Sequence, residues 1–79
     1  MTDSLDDRER ALIAAINEIS DDVERYQAVR GLEDRLALAF KQMKADAAKS
    51  LHDDRPWSQV GKLLGVTGSR AEQISRASR

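Results

Sequence analysis

Residues 57–76 read WSQVGKLLGVTGSRAEQISR, and this stretch decides the fold of the chain. Its pattern predicts two short helices, about 57–64 and about 68–77, joined through Gly65, because glycine adopts the positive φ that a tight turn between helices needs. Gly61 has no side chain and lets the two helices cross closely. The apolar positions expected inside this pair are Val60, Leu64, Val66, Ala71 and Ile74.

A first helix is predicted near the N-terminus. Ser4 followed three residues later by Asp7 is typical of a helix start, and apolar residues at 3/4 spacing continue to Ile19. Asp21 and Glu24 form a second capping box. This box indicates either a new helix or a bend in a continuous one.

A long helix is predicted next, from Val23 to about residue 51, roughly 28 residues. The apolar members of its stripe are Tyr26, Val29, Leu32, Leu36, Phe40, Met43, Ala47 and Leu51. A connector follows, because Pro56 disfavours helical geometry at the residue before it. His52 is expected at the surface or as a helix C-cap, Trp57 is expected to seal the joint, and Leu63 is expected to face the earlier helices.

Composition supports an all-α fold. The 79 residues include no cysteine and only one Phe, one Trp and one Tyr, and 41% are hydrophobic. Such a chain is long enough for one domain at most, and a thin aliphatic core must hold that domain together. We therefore expect a single domain, 1–79, in which an N-terminal helical hairpin of one short and one long helix (1–52) is a dimerisation platform and a helix-turn-helix (57–78) follows.

Several functional classes are disfavoured. No apolar run approaches the roughly 20 residues of a membrane span, and the N-terminus, MTDSLDDRER, is acidic where a targeting peptide would be basic. There is no cysteine nucleophile, Gly-rich phosphate loop or metal-ligand cluster, and the single histidine stands alone. The adjacent carboxylates 21–22 and 53–54 fit turns or caps better than a catalytic pair. We expect a cytoplasmic protein that is not an enzyme and needs no cofactor or metal.

The segment VGKLLGVT (60–67) followed by R-x-x-Q-I (70–74) resembles the helix-turn-helix of bacterial DNA-binding proteins, particularly the last part of region 4 of primary sigma factors. The longer arrangement is similar to small actinobacterial helix-turn-helix proteins: DDVERYQAV (21–29), a long charged helix, then W-S-Q-V-G-x-L-L-G-V. Gly68, Ser69 and Glu72 depart from the sigma pattern, so −35 promoter specificity is not carried over. We do not expect a complete sigma factor in a chain of this length.

The second short helix presents polar side chains away from its apolar face. At 100° per residue, the buried direction lies near −30° from Ala71, and Ser69, Gln73 and Arg76 lie about opposite to it. Gln73 can pair with adenine, Arg76 can reach guanine or a phosphate, and Ser69 can bond to several base edges. Glu72 can only accept, so it would contact cytosine N4 or repel alternatives.

Phosphate contacts are expected around the start of that helix. The N-cap Thr67 can offer its hydroxyl and the nearby amides to a phosphate, with Arg70 beside it. Three residues of the preceding helix, Ser58, Gln59 and Lys62, are candidates for the flanking backbone. The predicted DNA-binding residues are Ser58, Gln59, Lys62, Thr67, Gly68, Ser69, Arg70, Glu72, Gln73 and Arg76.

Charge divides the chain. Residues 1–40 hold five basic and ten acidic residues, whereas residues 41–79 hold eight basic and four acidic ones. The formal net charge of −1 is therefore the sum of an acidic half and a basic half. The helix-turn-helix lies in the basic half, as binding to a polyanion requires, and the acidic half should point away from DNA.

These patterns predict a bacterial transcriptional regulator that binds double-stranded DNA sequence-specifically, with its recognition helix in the major groove. A homodimer is expected, because one recognition helix reads few base pairs and such modules often bind half-sites about one helical turn apart. The long apolar stripe is the expected dimer surface, although an intramolecular hairpin would use the same residues. The alternative function is an interaction module that docks on a sigma factor or RNA polymerase.

Overall fold

A computed structural model describes residues 4–76 of the chain. This part of the protein is all-α and contains no strand. Its helices are α1 (Leu5–Asn17), α2 (Asp22–His52), α3 (Trp57–Leu64) and α4 (Gly68–Ser75). The predicted helix end at residue 77 and the predicted limit of the helix-turn-helix at residue 78 lie outside the described residues.

The chain forms two compact units, an N-terminal unit of residues 1–34 and a C-terminal unit of residues 35–79. The boundary between them falls inside α2, so the first turns of this helix belong to one unit and its last turns to the other. No helix in the described residues combines the length and apolarity that crossing a membrane requires.

Two side-chain caps define the helix starts in the N-terminal unit. The hydroxyl of Ser4 accepts a hydrogen bond from the amide of Asp7 at 3.1 Å, as predicted. The carboxylate of Asp21 accepts from the amide of Glu24 at 2.8 Å. Residues 18–21 are not helical, so α2 is a new helix and the alternative of one bent helix is wrong.

The junction of α1 and α2 is closed by Arg25. Its guanidinium donates to the carbonyl of Ile19 at 3.0 Å and to the carboxylate of Asp22 at 2.6 Å. A cavity of about 410 Å³ lies at this end of the unit, lined by Ile16, Asn17, Asp22, Arg25, Tyr26 and Val29. No residue of α1 is buried, so in this unit the apolar stripes remain at least partly open to solvent.

The helices α3 and α4 pack against each other across a tight turn. Gly65 ends α3 with φ 78°, the left-handed conformation predicted for it. The amide of Val66 then donates to the carbonyl of Gly61 at 2.8 Å. A Cβ added at Gly61 would lie 2.6 Å from the carbonyl carbon of Thr67 and 2.7 Å from the amide nitrogen of Gly68. Only glycine therefore permits this crossing.

The buried residues of the C-terminal unit are small. Val60 and Ala71 are fully buried, as predicted, whereas Leu64 is 39% exposed and Leu63 57% exposed. The inside position predicted for Leu64 is therefore wrong, and Leu63, expected to face the earlier helices, is mostly open to solvent.

The side of α2 that is buried in this unit differs from the predicted stripe. Ala45 and Ala48 are fully buried, whereas Phe40 and Met43 of the stripe are exposed. The small side chain of alanine allows a neighbouring helix to approach closely. Because Ala45 and Ala48 are three residues apart, their methyl groups lie on one face of α2. Small residues, rather than the large apolar ones, therefore mark the packed side of α2.

Stacked rings close the joint between α2 and α3. The rings of His52 and Trp57 lie 3.8 Å apart between centroids, at an angle of 11°. His52 Nδ1 is 2.8 Å from the carbonyl oxygen of Arg55, whose guanidinium donates to the carbonyl of Leu51 at 3.1 Å. The predicted sealing role of Trp57 and the helix-end position of His52 are both confirmed.

We expect Gly61→Ala to destabilise the C-terminal unit by about 1–3 kcal/mol, because the new methyl group meets backbone atoms that cannot rotate away. This loss outweighs the gain of about 1 kcal/mol from the better helix propensity of alanine. Denaturant unfolding followed by the fluorescence of Trp57, the only tryptophan, measures the change.

The control is Gly65→Asn. No atom lies within 4 Å of a Cβ at this position, and asparagine tolerates the left-handed conformation, so we expect a loss below about 1 kcal/mol. Equal losses for the two variants would contradict the steric explanation.

Candidate nucleic-acid interface

The start of α4 is held by a side-chain cap. The Oγ1 of Thr67 accepts from the amide of Arg70 at 3.0 Å, so the hydroxyl predicted to face a phosphate already stabilises the helix. Gly68 is half-buried, and a Cβ there would lie 3.1 Å from backbone atoms of Ser58. Gly68 therefore brings the first turn of α4 close to the first turn of α3, and only its backbone is available to a ligand.

The exposed face of α4 is centred on Gln73. Ala71 is fully buried and Ser75 is 5% exposed, which places the inward direction about 20° from Ala71 rather than the −30° expected from the apolar residues alone. The outward direction is then about 200°, which is the position of Gln73. Ser69 and Arg70 are exposed on either side of it. With this outward direction, Arg70 lies about 60° from the centre of the exposed face.

Glu72 and Arg76 form an ion pair on one edge of that face. Glu72 Oε2 lies 3.1 Å from Arg76 Nη2, one helical turn away. Glu72 is half-buried and Arg76 is exposed. The backbone carbonyl of Glu72 also accepts from the hydroxyl of Ser75 at 2.6 Å. In the free protein, the guanidinium predicted to reach DNA is therefore held by a neighbouring carboxylate.

On α3, the predicted polar residues are all exposed. Ser58, Gln59 and Lys62 lie away from the buried pair Val60 and Gly61. They share one side of this helix and occupy the same compact unit as the exposed face of α4. The ten predicted residues therefore all lie on α3, on α4 and in the turn between them.

Two further cations were missed by the sequence analysis. Lys41 and Lys44 of α2 line a cavity of about 320 Å³ together with Arg70 and Ile74. No carboxylate in the described part of the chain forms an ion pair with either lysine or with Arg70. The sequence feature that could have identified them is their spacing: Lys41 and Lys44 are three residues apart and lie on the turns of α2 that carry Ala45 and Ala48.

A second, more apolar cavity of about 340 Å³ adjoins this cluster. It is lined by Lys44, Ala47, Leu64, Val66, Arg70 and Ile74. Val66 and Ile74 are only half-buried, so the predicted inner face of the pair is open along this side. Lys44 and Arg70 therefore line both this apolar cavity and the one that includes Lys41.

The electrostatics of the region favour an anionic ligand. From residue 55 onward the sequence holds five basic residues and one acidic residue, Glu72. Of the four cations in this stretch that the structure describes, Arg55 is paired with Asp54 at 3.2 Å and Arg76 with Glu72. Lys62 and Arg70 form no ion pair with any described residue. Among residues 4–76 no group of histidine and carboxylate side chains is placed to hold a metal ion.

Comparison with known proteins returned no match: no protein-family model, curated protein or solved structure is similar to this chain at a significant level.

Proposed function

We propose that this protein is a transcriptional regulator that binds double-stranded DNA sequence-specifically through α3 and α4, with α4 in the major groove. In this proposal α3 and α4 act as a helix-turn-helix that follows an N-terminal helical hairpin. The protein would work in the cytoplasm, on the DNA of the nucleoid. The resemblance of residues 57–76 to sigma region 4 agrees with the proposal.

The observation that carries it is the exposed face of α4. A DNA-reading helix must present hydrogen-bonding side chains from a rigid support, because base edges are distinguished by directional bonds. Gln73 stands at the centre of this face with Ser69 and Arg70 beside it. The contact of Gly61 with the backbone of residues 67 and 68 supplies the rigid support.

Cations around this face fit the DNA backbone. Lys41, Lys44 and Arg70 line one cavity. The N-terminus of α4, capped by Thr67, is three residues before Arg70 in the sequence. Phosphate contacts of this kind position a protein on the duplex and release counterions. The cluster therefore adds two residues of α2 to the predicted site.

Arg76 binds DNA in competition with Glu72. Their 3.1 Å ion pair must open before the guanidinium can contact a base or phosphate. Since Arg76 is exposed and Glu72 is only half-buried, water reaches this pair and screens it, so its opening costs little. We infer that Glu72 acts mainly on Arg76 rather than by accepting a hydrogen bond from cytosine.

The central experiment selects binding sites from genomic DNA fragments and measures affinity for the selected site. Gln73→Ala and Arg76→Ala should each weaken specific binding by about 5- to 150-fold, which corresponds to the loss of one base contact. Gln27→Ala and Arg35→Ala are the matched controls, because both residues are exposed on α2 outside the proposed interface.

Failure of the wild-type protein to bind any genomic fragment would overturn the proposal. Binding to RNA polymerase or to a sigma factor that survives both α4 substitutions would instead support the alternative of a protein-docking module. In that case the acidic N-terminal residues are the expected contact.

Lys44→Ala tests the phosphate cluster separately from base recognition. The plot of log affinity against log salt concentration has a negative slope, and we expect its magnitude to decrease by about 0.9 because one phosphate contact is lost. The preferred DNA sequence should not change. Lys49→Ala is the control, since this lysine also lies on α2 but lines neither cavity. An unchanged slope for Lys44→Ala would remove α2 from the interface.

Glu72→Gln distinguishes the two roles of this carboxylate. Release of Arg76 and removal of one negative charge near the phosphates should raise the affinity for specific and nonspecific DNA alike, by about two- to fivefold. Glu33→Gln, an exposed change in the N-terminal unit, is the control. Loss of preference at a single base pair would show instead that Glu72 reads cytosine.

A further inference from the structure

The proposed DNA interface leaves one feature of the C-terminal unit without a role, the apolar cavity of about 340 Å³ among α2, α3 and α4. It is lined by Lys44, Ala47, Leu64, Val66, Arg70 and Ile74. A DNA phosphate would use the two cations. It would gain nothing from the four apolar residues, because favourable transfer from water belongs to apolar groups.

The apolar lining of this cavity is only partly covered by the chain itself. Leu64 is 39% exposed, and Val66 and Ile74 are half-buried. A ligand that covers these side chains removes apolar surface from water, which favours binding in proportion to the area covered. Small-molecule sites have volumes of about 300–1000 Å³, so this cavity has the size of a site for a small ligand.

The charged part of the lining favours a negative group on that ligand. Neither Lys44 nor Arg70 forms an ion pair with a described residue, and no described carboxylate lines this cavity or the adjoining one. Lys41 adds a third cation in the adjoining cavity. A guanidinium binds a carboxylate through two parallel hydrogen bonds, so Arg70 suits a carboxylate head group.

The rest of the lining specifies the body of the ligand. Apart from Lys44 and Arg70, the described side chains around the cavity are aliphatic, and none of them donates or accepts a hydrogen bond. A ligand with polar groups along its length would lose hydrogen bonds to water without replacement here. None of the described lining side chains is aromatic, so an aromatic ligand would find no ring to stack on. The lining therefore suits a molecule with one anionic end and an aliphatic remainder.

We propose that this cavity binds an aliphatic carboxylate, with the carboxylate at Lys44 and Arg70 and the chain against Leu64, Val66 and Ile74. The same two cations are phosphate contacts in the proposed DNA complex. The ligand and DNA therefore compete, and the carboxylate acts as an effector that releases the protein from DNA. Only this competition rests on the proposed function; binding of the carboxylate is tested without DNA.

Decanoate is the probe, titrated into the full chain at concentrations below those at which it forms micelles. Calorimetry should show saturable binding with a Kd below about 1 mM. Amide chemical shifts in NMR spectra should change most within residues 44–74 and least in α1. Hexanoate should bind at least about tenfold more weakly, because four CH₂ groups are missing. Decanol should bind at least about threefold more weakly, because it has the same chain without the charge.

Two pairs of variants locate the ligand. Leu64→Ala should weaken decanoate binding by about 4- to 15-fold, the loss of one or two buried CH₂ groups. Leu63→Ala is its control, since Leu63 is the neighbouring residue, is 57% exposed and lines neither cavity. Lys44→Ala should weaken binding by about two- to fivefold, and its control Lys49→Ala should bind as the wild type does. Both lysines are exposed, so these two variants report on binding even if Leu64→Ala fails to fold.

Absence of saturable decanoate binding would overturn the proposal, as would chemical-shift changes centred outside residues 44–74. Equal losses for Leu63→Ala and Leu64→Ala would also overturn it, and equal affinities for decanoate and decanol would exclude a carboxylate site.

A DNA measurement tests the competition separately. Saturating decanoate should lower the affinity for the selected DNA site by at least about fivefold, and hexanoate at the same concentration should not. An unchanged DNA affinity of the decanoate-loaded protein would overturn the effector role. If the protein binds no DNA, the proposed function fails, while the calorimetric and NMR titrations still decide whether the cavity binds a carboxylate.

Discussion

The close crossing of α3 and α4 at Gly61 is the contact on which the C-terminal unit depends. Three backbone atoms of residues 66–68 occupy the space that a side chain at this position would need. The contact fixes the direction in which α4 leaves the turn, while the left-handed Gly65 lets the chain reverse within a few residues. Every property assigned to the outer face of α4 follows from this geometry, because the crossing decides which side of α4 is turned inward.

Thinness of the core explains much of the remaining structure. Alanines 45, 48 and 71 pack where larger side chains would hold the helices apart. Such packing gives close contact but little apolar burial, and burial is the main favourable term in folding. Several local interactions supplement it, among them the cap at Thr67 and the stacked rings of His52 and Trp57. Large side chains such as Phe40 are left for surfaces outside this core.

Charge distribution gives the two units different chemistry. The N-terminal unit, residues 1–34, holds ten acidic and four basic residues, whereas the C-terminal unit carries cations that no described carboxylate neutralises. Lys41, Lys44 and Arg70 are brought together from two helices that are far apart in sequence. An anionic polymer is the ligand that such a surface binds most favourably. The same segregation keeps the overall net charge near zero and hides the basic surface in the composition.

Local patterns in the sequence were sufficient to predict the four helices of residues 4–76, because caps, glycines and the proline influence only residues a few positions away. Ser4, Asp21 and Thr67 each accept the backbone hydrogen bond expected of a cap, and Gly65 has the conformation expected of it. The exposed candidates on α3 and α4 followed from the same periodicity. What only the tertiary structure decided is which face of each helix is covered. Periodicity identifies the apolar side of a helix but not the helix that packs on it, so the burial of Ala45 and Ala48, the central position of Gln73 and the meeting of Lys41, Lys44 and Arg70 depend on contacts between residues distant in the chain.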